Sequence, residues 1–131
     1  MRTLVWGAGA IGGTLGAYLA RAGRDVTLVD TVAAHVEAIA RDGLRVTGPI
    51  DAFTVAVPAF TPEHIRGTWH EIILATKAHH TGQAVRALAP HLSAGGYVVS
   101  AQNGLNELEI AEVVGASRTV GAFVNFGADY L

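Results

Sequence analysis

Gly7-Ala8-Gly9-Ala10-Ile11-Gly12 places three glycines in the order G-x-G-x-x-G between two segments of different periodicity. Before it, Thr3–Trp6 is an apolar run of strand length. After it, Ile11, Leu15, Leu19 and Ala22 recur on one helical face, and Gly23 follows the last of them. The chain must therefore pass from strand to helix within a few residues, a turn that needs backbone conformations glycine reaches most readily. Asp25–Asp30 (DVTLVD) then reads as a second short, buried strand, which completes a β-α-β unit and requires the two strands to be parallel.

The same alternation continues. Ala33–Asp42 reads as a helix, closed by Gly43 where a left-handed residue is wanted. Leu44–Thr47 and Phe53–Val57 flank Gly48-Pro49-Ile50-Asp51 as a hairpin excursion, and Pro58–Gly67, with two prolines, reads as a loop or short helical turn. Strands are expected at Glu71–Thr76 and Tyr97–Ala101, helices at about Thr81–Leu92 and Glu107–Val114, and a last apolar run at Thr119–Phe126. The expected fold class is α/β, a Rossmann-type doubly wound, mostly parallel sheet with a small hairpin insertion, forming one dinucleotide-binding domain over residues 1–131. Composition agrees: half of the 131 residues are hydrophobic and only 15% are charged, as a sheet covered on both faces requires.

In that context each glycine has a task. Gly7 permits the tight turn, Gly9 lets a pyrophosphate approach the backbone, and Gly12 lets the helix pack closely. The N–H groups and partial positive charge at the helix start, around Ala8, Ala10 and Ile11, suit phosphate; a merely tight β–α turn is the plain alternative. Asp30 lies 18 residues after Gly12 at the end of the second strand, where such sites carry an acid for the adenosine ribose hydroxyls. Capping the next helix is its other reading. A carboxylate there repels a 2′-phosphate, and at about 1.5–3 kcal/mol per charged hydrogen bond it favours NAD over NADP by roughly tenfold or more. Thr31, not a cation, follows it. Arg24 and Arg41 could reach the phosphate, although nothing in their spacing requires it.

Ligands of open α/β sheets lie outside the carboxyl ends of the strands, where Thr76-Lys77 and Gln102-Asn103-Gly104 fall. Lys77 is either a solvated loop lysine or a contact for cofactor or anionic substrate. Asn103-Gly104 is either a turn dipeptide or supplies a donor to ribose or substrate.

Taken together, GAGAIGG at Gly7–Gly13, AYLARAGRDVTLVD at Ala17–Asp30, ATKAHH at Ala75–His80 and QNG at Gln102–Gly104 resemble the N-terminal, cofactor-binding domain of the ketopantoate reductases (2-dehydropantoate 2-reductases). The resemblance implies NADPH-dependent reduction of a 2-keto acid to a 2-hydroxy acid on the way to pantothenate. It implies that Lys77 and Gly127 contact the cofactor and that Asn103 touches both cofactor and substrate. It also implies a catalytic lysine and an acidic ligand-binding residue in a helical C-terminal domain, so this chain is expected to be truncated and to be inactive alone. The family usually has a basic residue just after the second strand; Asp30-Thr31 departs from that and leans towards NAD.

Several classes are excluded on composition. There are 9 basic and 11 acidic residues and no cysteine, against a nucleic-acid face, a disulfide scaffold and a thiolate metal site. His79-His80 lacks a third ligand at metal spacing, so no metal is expected. The other histidines, His35 among them, carry no signal. Ser93, Ser100 and Ser117 lack a nucleophile elbow. Neither a targeting segment nor a membrane span is read, and a cytoplasmic protein is expected. The expected partners are a dinucleotide and a small anionic keto acid, together with a second copy of the chain in a homodimer or the missing C-terminal domain. A stand-alone dinucleotide-binding sensor or partner module, with Thr119–Leu131 as its interaction edge, is the rival reading.

Overall fold

The computed structural model describes residues 2–47, 52–76, 81–101 and 106–121. Six parallel strands form one sheet: β1 (Arg2–Trp6), β2 (Asp25–Val29), β5 (Ala59–Phe60), β6 (Trp69–Leu74), β7 (Leu92–Ser100) and β8 (Thr119–Gly121). Their spatial order is β5-β2-β1-β6-β7-β8, and β3 (Leu44–Thr47) pairs antiparallel with β4 (Ala52–Val55) as the expected insertion. The chain first builds outward from β1 through β2 to β5, then returns to the other flank of β1 at β6. That reversal is the topological switch point of a Rossmann-type sheet, and it opens a crevice beyond the ends of β1 and β6.

Strand alternation sorts side chains into two cores. Leu4, Trp6, Ile72, Leu74 and Val98 point to one face, under Val85 and Leu88 of α3 (Thr81–Leu88) and Ile110 of α4 (Asn106–Val114). Val5, Val26, Leu28 and Ile73 point to the other, against Ala17 of α1 (Ala10–Arg21) and Val36 and Ile39 of α2 (Ala33–Asp42). Both faces are covered, so the strands need apolar residues at successive positions. Gly16 brings α1 down on the sheet: a Cβ there would stand 2.9 Å from Leu28 Cδ2.

Three elements depart from the sequence reading. Pro58–Gly67 contains β5, whose two residues are too few for any periodicity to register; Pro58 sits outside the paired residues of an edge strand, where its missing N–H costs nothing. α3 stops at Leu88 and passes into a 3-10 turn over Ala89–His91, because Pro90 cannot donate the next α-helical hydrogen bond. β7 starts at Leu92 rather than Tyr97. Its pairing jumps from Trp69↔Leu92 to Glu71↔Tyr97, and Arg118 ties the intervening segment by donating to the Ser93 and Gly96 carbonyls at 2.6 and 2.9 Å. The expected interaction edge begins at β8, where Val120 is exposed; residues 122–131 lie outside the described residues.

At the edge where the strands begin, three of them and the residue before β2 are cross-linked through one carboxylate. Glu71 Oε1 accepts from Thr3 Oγ1 and Arg24 Nη2, both at 2.9 Å, and Oε2 accepts from the Tyr97 hydroxyl at 2.6 Å. Burial alone would raise the Glu71 pKa, but the hydrogen bonds from Tyr97 and Thr3 and the Arg24 charge outweigh it and hold the group below its ordinary 4.5. Unfolded chain therefore takes up this proton first as pH falls. The stabilisation is complete above the unfolded value and is lost as pH drops through the folded one. Glu71→Gln is expected to cost about 1–3 kcal/mol at about pH 7, with a smaller gap to wild type at about pH 3, below the ordinary 4.5 of the carboxyl. Urea unfolding at the two pH values checks this; a pH-independent gap would contradict it.

Candidate functional site

The ladder runs one residue past each central strand. Gly7 N–H donates to Val29 O (2.7 Å), Asp30 N–H to Phe60 O (3.1 Å), Ala75 N–H to Trp6 O and Ala101 N–H to Leu74 O (both 2.9 Å). Four chain segments therefore leave the sheet at one level, and the crevice lies between them.

Gly7 turns with φ +105°, and a Cβ on it would come within 3.0 Å of the Ala75 and Thr76 backbone. The loops after β1 and β6 thus approach closely at the switch point. A Cβ on Gly12 would overlap the Gly7 carbonyl oxygen, so the first turn of α1 is folded onto the loop that precedes it. Gly9 is the N-cap of α1; no side chain caps the helix and its first turn holds no acid. The N–H groups of Ala10, Ile11 and Gly12, which have no carbonyl four residues back within the helix, therefore carry the positive end of the helix dipole unneutralised.

Asp30 is half-buried and already oriented. Its Oδ1 accepts from the Ala8 N–H at 3.1 Å and its Oδ2 from the Val32 N–H at 3.2 Å. Val32 is the N-cap of α2, and no side chain caps it. Asp30 is thus not the helix cap; it closes an Asx-type turn two residues ahead of it. A carboxylate has about four acceptor positions, and these two bonds occupy one on each oxygen, leaving capacity for hydroxyl donors.

Other placements follow from topology. Arg24 does not reach this edge: it precedes β2, whose far end carries Asp30 roughly 20 Å away, and it is bonded to Glu71. Arg41 lies in the last turn of α2, about 12 Å along the helix from its start, paired with Asp42 at 3.0 Å. Lys77, Asn103 and Gly127 fall outside the described residues, as do His79 and His80. Sequence reasoning missed His35. It is exposed on the first turn of α2, with its Nε2 2.8 Å from the Ala8 carbonyl oxygen. It missed Val32 and Phe60 as well, 56% and 39% exposed, two of the four large apolar side chains left exposed among the described residues. Their shared signal was position: all three lie on the elements that bracket Asp30.

A family model described as ketopantoate reductase PanE/ApbA matches residues 3–130. The chain belongs to this family. It is 40% identical over 131 residues to the 2-dehydropantoate 2-reductase of Pyrococcus abyssi, covering 98% of this chain and 41% of that protein. The solved 2-dehydropantoate 2-reductase of Geobacter metallireducens superposes with a TM-score of 0.83 at 33% identity, over 92% of this chain and 40% of that one. A D-mandelate dehydrogenase solved with NADH and anilino(oxo)acetate gives 0.84 at 25% identity, over 91% and 39%. The chain therefore spans about two-fifths of the length of these relatives. Among the described residues, no helix is long and apolar enough to cross a membrane.

Proposed function

We propose that this chain is the dinucleotide-binding part of a cytoplasmic reductase that converts a 2-keto acid, 2-dehydropantoate in the first instance, to the 2-hydroxy acid. The observation that carries the reading is the uncapped start of α1 folded tightly behind the Gly7 turn, with Asp30 held beside it by the Ala8 and Val32 N–H groups. The residues fit the group: helix N–H donors for a pyrophosphate, a preoriented carboxylate for ribose hydroxyls, and the exposed apolar surfaces of Val32 and Phe60 for an adenine ring.

A bound nicotinamide dinucleotide supplies the hydride. Gly7, Gly9 and Gly12 keep the loop free of side chains, the Ala10, Ile11 and Gly12 N–H groups present donors to phosphate, and Ala8 lines the loop with its own N–H committed to Asp30. Asp30 selects against a 2′-phosphate by charge and favours NAD, whereas the family resemblance implies NADPH. In this reading Lys77 and Gly127 contact the cofactor and Asn103 orients the substrate carbonyl. The lysine that stabilises the developing alkoxide and protonates it belongs to a C-terminal helical domain.

Addition of NADH to isotopically labelled chain is expected to shift the amide resonances of Ala8, Gly9, Ile11 and Asp30 most. Shifts concentrated on the β3–β4 hairpin or β8 would contradict the site.

A further inference from the structure

His35 contacts the glycine loop rather than solvent alone. A carbonyl only accepts, so the 2.8 Å contact between its Nε2 and the Ala8 oxygen requires the proton on Nε2. Ala8 is thereby held on both sides. Its N–H, in the Gly7–Ala8 peptide, donates to Asp30. Its C=O, in the Ala8–Gly9 peptide, is taken by His35. Two successive peptide groups of the loop are thus fixed by side chains from the β2–α2 segment.

The second of these contacts sets a direction. The peptide is trans, so its C=O and N–H point opposite ways. With the Ala8 carbonyl drawn towards α2, the Gly9 N–H must point away from α2, and it finds no acceptor among the described residues. Gly9 can rotate about its backbone more freely than any other residue, and nothing in its own side chain prevents this peptide from turning over. A flipped peptide would put a carbonyl oxygen where a donor is wanted.

Building on the dinucleotide reading above, we infer that His35 is a positioning residue: it locks the Ala8–Gly9 peptide so that the Gly9 N–H joins the helix donors facing the pyrophosphate. Its side chain need not touch the cofactor. Because the pyrophosphate is common to both dinucleotides, the effect does not depend on the 2′ position.

The test compares wild type, His35→Ala and His35→Gln in the 131-residue chain, with the Gln amide nitrogen standing near the place of Nε2. Calorimetry with NADH and with NADPH should show His35→Ala weakened roughly three- to tenfold, by the same factor for both, and His35→Gln restored. In ligand-free protein the Gly9 amide resonance should move in His35→Ala and return in His35→Gln. Wild-type binding with His35→Ala unchanged would overturn this role and leave the dinucleotide reading standing. Loss of affinity for one dinucleotide only would also overturn it, since the residue would then act at the 2′ position. Absence of binding by wild type would overturn both.

Discussion

Gly12→Ala is expected to abolish measurable dinucleotide binding and to destabilise the fold by about 2–4 kcal/mol. The added methyl would overlap the Gly7 carbonyl oxygen and press on the Ala75 Cβ at 3.1 Å. Neither neighbour can rotate away. Gly7 is held by its hydrogen bond to Val29 and by its own close approach to the Ala75–Thr76 backbone. Relief must come from lifting the first turn of α1, which carries the Ala10, Ile11 and Gly12 donors off the crevice. Gly23→Ala provides the contrast. Gly23 has φ +92° but nothing within 4 Å of a Cβ, so only backbone strain of about 1–2 kcal/mol is expected, with cofactor affinity kept. Urea unfolding and calorimetry on the two variants check this; a Gly12→Ala chain that binds like wild type would contradict it.

Replacing Asp30 by alanine is expected to lower affinity for NADH by roughly 10- to 100-fold, the range of one charged hydrogen bond at about 1.5–3 kcal/mol. Two losses combine. The ribose hydroxyls lose their acceptor, and the Ala8 and Val32 N–H groups lose the carboxylate that joins the glycine loop to the start of α2. NADPH should suffer less, because the same change removes a negative charge facing its 2′-phosphate. Asp30→Asn separates the two losses. The amide oxygen still accepts from one backbone N–H while the charge is gone, so the ratio of NADH to NADPH affinity should fall as in the alanine variant. An unchanged ratio in both variants would show that Asp30 does not read the 2′ position.

The parts legible in the sequence were those where physics repeats over several residues. Buried parallel strands demand consecutive apolar residues, and the glycine loop demands glycine at fixed steps, so β1, α1, β2 and α2 were read nearly to the residue. β5 escaped because a two-residue edge strand has no period. The start of β7 escaped because the register shift opposite Trp69 is set by pairing, not by local composition. Arg24 illustrates a different failure: its place before Asp25 already put it at the end of β2 away from Asp30, but the partners that hold it there, Thr3 and Glu71, lie 21 and 47 positions away in sequence. His35 was invisible for a similar reason. An exposed histidine on a helix has no pattern of its own, and its contact with Ala8 spans 27 positions.

The most direct test of dinucleotide recognition at the Gly7–Asp30 crevice is calorimetric titration of the 131-residue chain with NADH and, separately, NADPH. Saturable one-to-one binding is predicted, with NADH tighter by roughly tenfold. Tighter binding of NADPH would contradict the role given to Asp30, and no heat from either dinucleotide would contradict the site itself.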